Sequence, residues 1–276
     1  MTDKAQWQGG VGRNWADAWQ RTDITFSELT PRLLAAIAAE PGRRIVDVGC
    51  GAGEVAIAIA LARPDTCVTG VDVSPDLVEA AQARASGMSG VSFVLANAAE
   101  WIAPDGAPDL YISRHGVMFF DDPPTAFAHL AASASPGARF VFSCFRSASE
   151  NAWASAIAGL LSQAPEPETR PFAPGPFAFA EPDHVRLCMA GWRDVAFAPV
   201  DFSYIAGTGP NAVAEAMALF RRIGPAASAM RTLPEPDRAD FESRLLELVE
   251  AHCDGEKVAF PAAAWLVTAT SDYSHG

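Results

Sequence analysis

The 276-residue chain predicts an α/β fold: a mostly parallel sheet of seven strands with helices on both faces and a helical lid made by insertions. Three observations carry this expectation. From about residue 42, short β-branched runs alternate with helical stretches. A glycine-rich turn directly follows the first run. Half of the chain is hydrophobic, enough for one large domain with added segments.

The strands are expected at 43–49 (RRIVDVG), 67–73 (CVTGVDV), 91–97 (VSFVLAN), 109–114 (DLYISR), 138–145 (ARFVFSCF), 193–199 and 263–270 (AAWLVTAT). EVAIAIALARP (54–64) alternates like a strand but reads as a helix, because alanine favours helices and is depleted from strands. Ser74 and Pro75 form a cap and first-turn proline for a helix to about Ala85. Further helices are expected near Phe26–Ala39, Pro124–Ser133, Ala152–Leu161 and Pro182–Met189. Two more are expected within 205–260, the second marked by Phe241, Leu245, Leu248 and Val249 at helical spacing. The chain thus divides into an N-terminal helical segment (1–40) and a ligand-binding domain (41–276) with helical insertions at about 146–180 and 205–260. All three additions are expected to reach one end of the sheet as a lid.

The net charge of −13 and the lack of a basic stripe argue against nucleic acid as a partner. Arg221 and Arg222, on one helix, read as solvated. Cys50, Cys67, Cys144, Cys188 and Cys253 show neither a disulfide framework nor zinc-ligand spacing, so no metal is expected and the compartment reads as reducing. Cys67 and Cys144 read as small buried hydrophobes in strands. The N-terminus shows no apolar signal core, and the longest apolar run, near Val55–Ala62, is too short to span a bilayer. A cytoplasmic protein without membrane insertion is expected.

The most informative run is Val46-Asp47-Val48-Gly49-Cys50-Gly51-Ala52-Gly53-Glu54. Glycines between a strand and a helix allow a sharp turn and close backbone approach to a ligand. Asp47, at the strand end, can hold the ammonium of an amino acid. Glu54 sits where a dinucleotide pyrophosphate would lie, and the spacing departs from GxGxxG. Both points favour a cofactor without phosphates and disfavour a nicotinamide-dependent oxidoreductase.

This run resembles the first motif of the class I S-adenosylmethionine-dependent methyltransferases, DxGxGxG. Asp72 in GVDVSP matches that family's acidic residue at the end of the second strand, and Asn97-Ala98 its pair after the third. ISRHGVMFFDDP (112–123) is similar to the small-molecule, quinone-biosynthesis group. The likeness covers about residues 40–200 and implies a Rossmann-like sheet and S-adenosyl-L-methionine as cofactor. It implies cofactor contacts at Asp47, Gly49, Cys50, Gly51, Gly53, Asp72, Val73, Asn97, Ala98 and Ser113. Asp72 would accept the ribose hydroxyls, Asn97 would bond the adenine amino group, and Ser113 would line the methionine moiety.

The expected reaction is methyl transfer to a small-molecule or peptide acceptor, with O-methylation favoured. In-line alignment supplies much of the acceleration. If the acceptor is a hydroxyl, His115 is the candidate base. Arg114 is read either as a partner for a ligand carboxylate or as half of a structural salt bridge. Trp15, Phe119, Phe120, Phe177 and Phe179 are candidates for an apolar pocket. A protein that binds the cofactor without transferring methyl stays an alternative. Trp7, Trp15 and Trp19 either close the pocket or form a homodimer interface.

Overall fold

The computed structural model describes residues 4–161 and 173–272. Four helices lead the chain: α1 (Lys4–Trp7), α2 (Gly10–Asp17), α3 (Trp19–Thr25) and α4 (Thr30–Ala38). The alternating core follows as β1 (Arg44–Val48), α5 (Glu54–Ala62), β2 (Cys67–Asp72), α6 (Pro75–Arg84), β3 (Val91–Leu95), β4 (Leu110–Arg114), α7 (Pro123–Ser133) and β5 (Arg139–Phe145). Then come α8 (Ala152–Ala158), α9 (Pro182–Cys188), β6 (Trp192–Thr208), α10 (Ala212–Arg222), α11 (Gly224–Thr232), α12 (Glu235–Ala251) and β7 (Lys257–Ser271).

The strands form one sheet in the order β3-β2-β1-β4-β5-β7-β6. Strands β1 to β5 pair in parallel, and β7 runs antiparallel to both β5 and β6. Burial on both faces explains the unbroken apolar runs of the central strands: four of the five residues of β1 are buried, and so are four of β4. Segment 54–62 is helical, as its alanines predict. Val55, Ala56, Ile59 and Ala60 face the core, while Leu61, part of the apparent alternation, is 70% exposed. Ser74 caps α6 by accepting the Leu77 N–H at 3.4 Å, with Pro75 in the first turn.

Several boundaries move. β3 stops at Leu95, which leaves Asn97 in a turn. α4 starts at Thr30, not Phe26, and α8 ends at Ala158. The largest change is at the last two strands. They pair from Trp192↔Ser271 to Thr208↔Lys257, well beyond 193–199 and 263–270. The alternation of buried Val200, Phe202 and Tyr204 with Asp201 and Ser203 is the period-two signal for this extension. The insertion between them is therefore shorter, and it holds three helices rather than two. Pro225 in the first turn of α11 and Pro234 ahead of α12 divide it. Cys67 lies exposed at the start of β2, whereas Cys144 is fully buried in β5. Most of the proline-rich stretch falls on 162–172, outside the described residues. Among the described residues, no helix is long and apolar enough to cross a membrane.

Candidate cofactor and acceptor site

A cavity of about 720 Å³ opens at the carboxyl ends of β1 to β5, where ligands bind in sheets of this topology. Its walls come from the turn after β1, the ends of β2 to β5, helices α1 to α3, α8, and the α10–α11 junction. The N-terminal helices are tied down over it. Gly12 packs so closely on the cap of α6 that a Cβ there would lie 2.2 Å from Ser74 Oγ. The Arg84 guanidinium lies 3.8 Å over the Trp19 ring and pairs with Asp23 at 2.7 Å. Arg21 pairs with Glu215 at 2.6 Å, joining α3 to α10.

The glycine turn wraps the end of β2. Gly49 and Cys50 both donate to the Val71 carbonyl, at 2.9 and 3.2 Å. Gly49, Gly51 and Gly53 take left-handed backbone angles (φ 67°, 54° and 84°), which side chains rarely adopt. The Asp72 carboxylate organises the turn. One oxygen accepts the Gly51 N–H and the other the Ser74 N–H, both at 2.9 Å. Asp72 itself borders the cavity. Asp47, Gly49, Cys50, Gly51, Val73, Asn97 and Ala98 also border the cavity. Burial pushes the Cys50 thiol above its ordinary range, so it stands there as a neutral group.

Asp47 is the least satisfied residue of the site. It is 1% exposed, and neither carboxylate oxygen has a hydrogen-bond partner. Burial pushes its pKa up to about 7, against the pull of Arg114 and a weaker pull from the Ala56 N–H, and with help from the charge on Asp72. Arg114 does not neutralise it by contact. That guanidinium is held by Glu54 and by the Thr30 hydroxyl at 2.8 Å, and it lies 5.1 Å over the Phe26 ring. Arg114 is thus half of a salt bridge, and Glu54 its partner. Asp23 joins the same group: burial, then hydrogen bonding to Glu54, raises its pKa to about 7. An orphaned buried carboxylate on a cavity wall fits a ligand ammonium, since leaving it unpaired is costly.

Two expected cofactor contacts are displaced. Ser113 does not border the cavity. It is fully buried, donates to the Val48 carbonyl at 2.7 Å and accepts the Gly116 N–H at 3.1 Å. It latches the end of β1 to the turn after β4. Gly53 likewise lies behind the wall, where a Cβ would meet Phe93 at 2.6 Å. Replacing Ser113 by Ala strands both partners in the interior. We expect a loss of about 1–3 kcal/mol in urea unfolding, with cofactor affinity falling only as the latch loosens. An unchanged unfolding midpoint would refute the latch. Asn97 borders the cavity but is already engaged: its Oδ1 accepts the Ala99 N–H at 3.1 Å and its Nδ2 donates to Glu100 at 2.7 Å. It shapes the turn first, and one Oδ1 lone pair and one Nδ2 hydrogen are left for adenine.

His115 does reach the cavity, but not as a base. Its ring stacks on Phe145 at 4.1 Å and lies 5.1 Å from Phe26. Both nitrogens are buried without partners, and burial, then the charge of Arg114, drives the pKa down to about 3. The imidazole is therefore neutral and too weakly basic to take a hydroxyl proton near pH 7. Of the candidate aromatic residues, Trp15, Phe119 and Phe120 line the cavity, while Phe177 and the fully buried Phe179 do not. Asp122 caps α7, accepting the Thr125 N–H at 3.2 Å, and His129 bonds the Trp101 carbonyl at 2.9 Å. Sequence reasoning missed Trp153, Tyr204, Arg222 and Arg231 as wall residues. Their elements sit far along the chain, and the Arg221-Arg222 pair gave no sign that its members face different ways. Arg221 binds Glu242 at 2.6 Å, whereas Arg222 borders the cavity.

Residues 45–137 match the family model described as a methyltransferase domain. This segment is thus similar to methyltransferase domains. The chain is 37% identical over 105 residues to trans-aconitate 2-methyltransferase of Methylobacterium radiotolerans, covering 38% of this chain and 39% of that one. It is 32% identical over 120 residues to O-methyltransferase rstn1 of Aspergillus nomiae, covering 42% and 53%. The chain thus aligns with about half or less of the length of these relatives. Among solved structures, it resembles Haemonchus contortus phosphoethanolamine N-methyltransferase 2 in complex with S-adenosylhomocysteine (TM-score 0.55, 14% identity, 94% of this chain and 58% of that one). It also resembles the YcgJ protein of Bacillus subtilis (TM-score 0.53, 16% identity, 89% and 98%). These two likenesses concern the fold.

Proposed function

We propose that the protein is an S-adenosylmethionine-dependent methyltransferase acting on a small molecule, by O-methylation. The observation that carries the reading is the orphaned Asp47 carboxylate, on the same cavity wall as the ribose-facing Asp72 and the glycine turn. When bound, the cofactor supplies a methyl group activated by a positively charged sulfur. The work of the chain is to hold, orient and keep dry. Asp47 takes the ammonium of the amino-acid end. Asp72 offers its carboxylate to the ribose hydroxyls, fixed in place by Gly51 and Ser74. Val73, Asn97 and Ala98 border the adenine end. Trp7, in ring contact with Trp15 at 5.8 Å and with Phe119 at 5.2 Å, roofs the cavity with them and excludes water. The N-terminal helices from Lys4 to Ala38, α8 and the α10–α11 junction together form the lid.

On this reading Asp47 and Asp72 would hold the cofactor so that it could supply its methyl to the acceptor oxygen, the electrons of the broken carbon–sulfur bond staying with sulfur and the hydroxyl proton passing to solvent. His115 belongs to the acceptor wall as a neutral ring. O-methyltransferase relatives support oxygen as the accepting atom. Free thiols at all five cysteines suit a cytoplasmic setting.

The test is calorimetric titration with S-adenosylhomocysteine and, separately, NADH. This is followed by incubation with methyl-labelled cofactor and a panel of hydroxyl, carboxyl and amine acceptors. We expect binding of the first ligand alone and label on oxygen. Folded protein that binds NADH instead, or that places label only on nitrogen, would refute the reading.

A further inference from the structure

The cavity has two chemically different halves. The glycine turn, Asp47 and Asp72 lie over β1 and β2. The other half is walled by aromatic rings from the ends of β4 and β5, from α8 and from β6. Trp153 stacks on Tyr204 (4.8 Å, 15°), His115 stacks on Phe145 (4.1 Å, 12°), and Phe145 bridges to Trp153 at 5.2 Å. Phe26 closes the group edge-on to Tyr204 at 6.0 Å. All five rings border the cavity. Each is more than nine-tenths buried and braced by its neighbours, so the parts that border the cavity are rigid and lose little freedom on binding a partner.

Beside this wall stand two cations. Arg222 ends α10 and Arg231 lies in the last turn of α11, on either side of the Ile223–Gly224 junction. A Cβ on Gly224 would lie 3.9 Å from Trp153, so the junction abuts the aromatic surface. Both arginines border the cavity, are exposed, and have no ion pair, hydrogen bond or ring contact with another described residue. In a chain of net charge −13, most arginines are taken up by carboxylates. Of the acids that line the cavity, Asp23 and Glu54 are already held by Arg84 and Arg114. A planar guanidinium is the side chain best shaped for a carboxylate or phosphate.

We infer that the acceptor is a flat, conjugated molecule bearing an oxyanionic group, its flat body on the Trp153–Tyr204 wall and its oxyanion on Arg222 and Arg231. This rests on the methyltransferase reading. It adds that specificity is set by the α10–α11 junction and not by the glycine-turn half.

The experiment saturates the full chain with S-adenosylhomocysteine and then titrates four probes by calorimetry at low salt. These are cinnamate, cinnamamide, phenyl phosphate and phenol. We expect at least one oxyanion to bind about tenfold or more tightly than its neutral counterpart; which one does so separates carboxylate from phosphate recognition. The preference should vanish in Arg222→Gln/Arg231→Gln, with affinity for S-adenosylhomocysteine unchanged. Trp153→Leu should weaken charged and neutral probes alike. The inference is overturned if neither oxyanion is preferred, if no probe binds, or if the double variant keeps the preference. Failure of S-adenosylhomocysteine to bind folded protein would instead remove the methyltransferase reading, and this inference with it.

Discussion

Asp47→Asn is expected to remove measurable cofactor binding while raising the thermal stability of the ligand-free protein near neutral pH. Its carboxylate is 1% exposed and unpartnered, with a pKa lifted from 3.8 to about 7. The unfolded chain releases this proton near 3.8, and the folded chain holds it until about 7. The stability contributed by proton retention is full below about pH 4 and is lost as pH rises through 7. Asparagine removes that loss. A shift of three units corresponds to about 4 kcal/mol as an upper bound. For a chain of this size, each kcal/mol recovered moves Tm by about 2–4 °C. Scanning calorimetry should show the variant clearly more stable at pH 8, by a smaller margin at pH 5, and near parity only below about pH 4, where the carboxyl is protonated in the folded and the unfolded chain alike. Asp23, lifted to about 7 for the same main reason, leaves a residual slope of the same sign. A ligand ammonium calls for the ionised carboxylate, so wild-type affinity should rise with pH through about 7. The variant should lose affinity by about a hundredfold or more, the scale of removing one partner from a buried charge pair. A variant less stable than wild type at pH 8 would mean that Asp47 is paired in the empty protein, and the argument for an ammonium would fall.

Sequence reasoning reached the sheet, its parallel core and the cofactor turn because each left a local mark. Buried parallel strands read as unbroken apolar runs, the first turn needs three glycines at left-handed angles, and Ser74-Pro75 is a cap in its own right. It placed Asp47 and Asp72 on the cavity wall because both stand at strand ends. It misplaced Ser113 because position along a strand does not say which way a side chain turns; this one turns inward, to bind Val48 and Gly116. It misjudged His115 because basicity is set by surroundings, here Phe145, Phe26 and Arg114, which come from three parts of the chain. The acceptor half was the least legible. Trp153, Tyr204, Arg222 and Arg231 carry no motif, and they converge only because the β6–β7 ribbon and its three helices fold back over the sheet.

Two glycines at the heart of the site should respond to alanine in opposite ways. Gly116 has an ordinary backbone angle, yet a Cβ there would lie 2.5 Å from the Val48 carbonyl, 2.9 Å from Ser113 Oγ and 3.0 Å from Gly49. Those neighbours are backbone and a latched hydroxyl, so none can step aside without parting the turns after β1 and β4. Gly116→Ala should cost about 3 kcal/mol, the upper end for overpacking, and weaken cofactor binding only through that distortion. Gly51 is the reverse case. Its φ of 54° makes alanine pay about 1–2 kcal/mol for the left-handed angle, but nothing lies within 4 Å of the added methyl. Gly51 borders the cavity, and a ligand that approaches the turn closely would meet the added methyl there. The methyl would then occupy room that the ligand needs. Gly51→Ala should unfold in urea within about 2 kcal/mol of wild type, yet bind S-adenosylhomocysteine at least tenfold more weakly, a gap of about 1.4 kcal/mol. Measuring both quantities for both variants separates the two costs. If Gly51→Ala kept wild-type affinity, the ligand would not approach the turn, and the cofactor would have to lie elsewhere in the cavity. If Gly116→Ala were as stable as Gly51→Ala, the close contact between the two turns would not be what holds the floor of the site together.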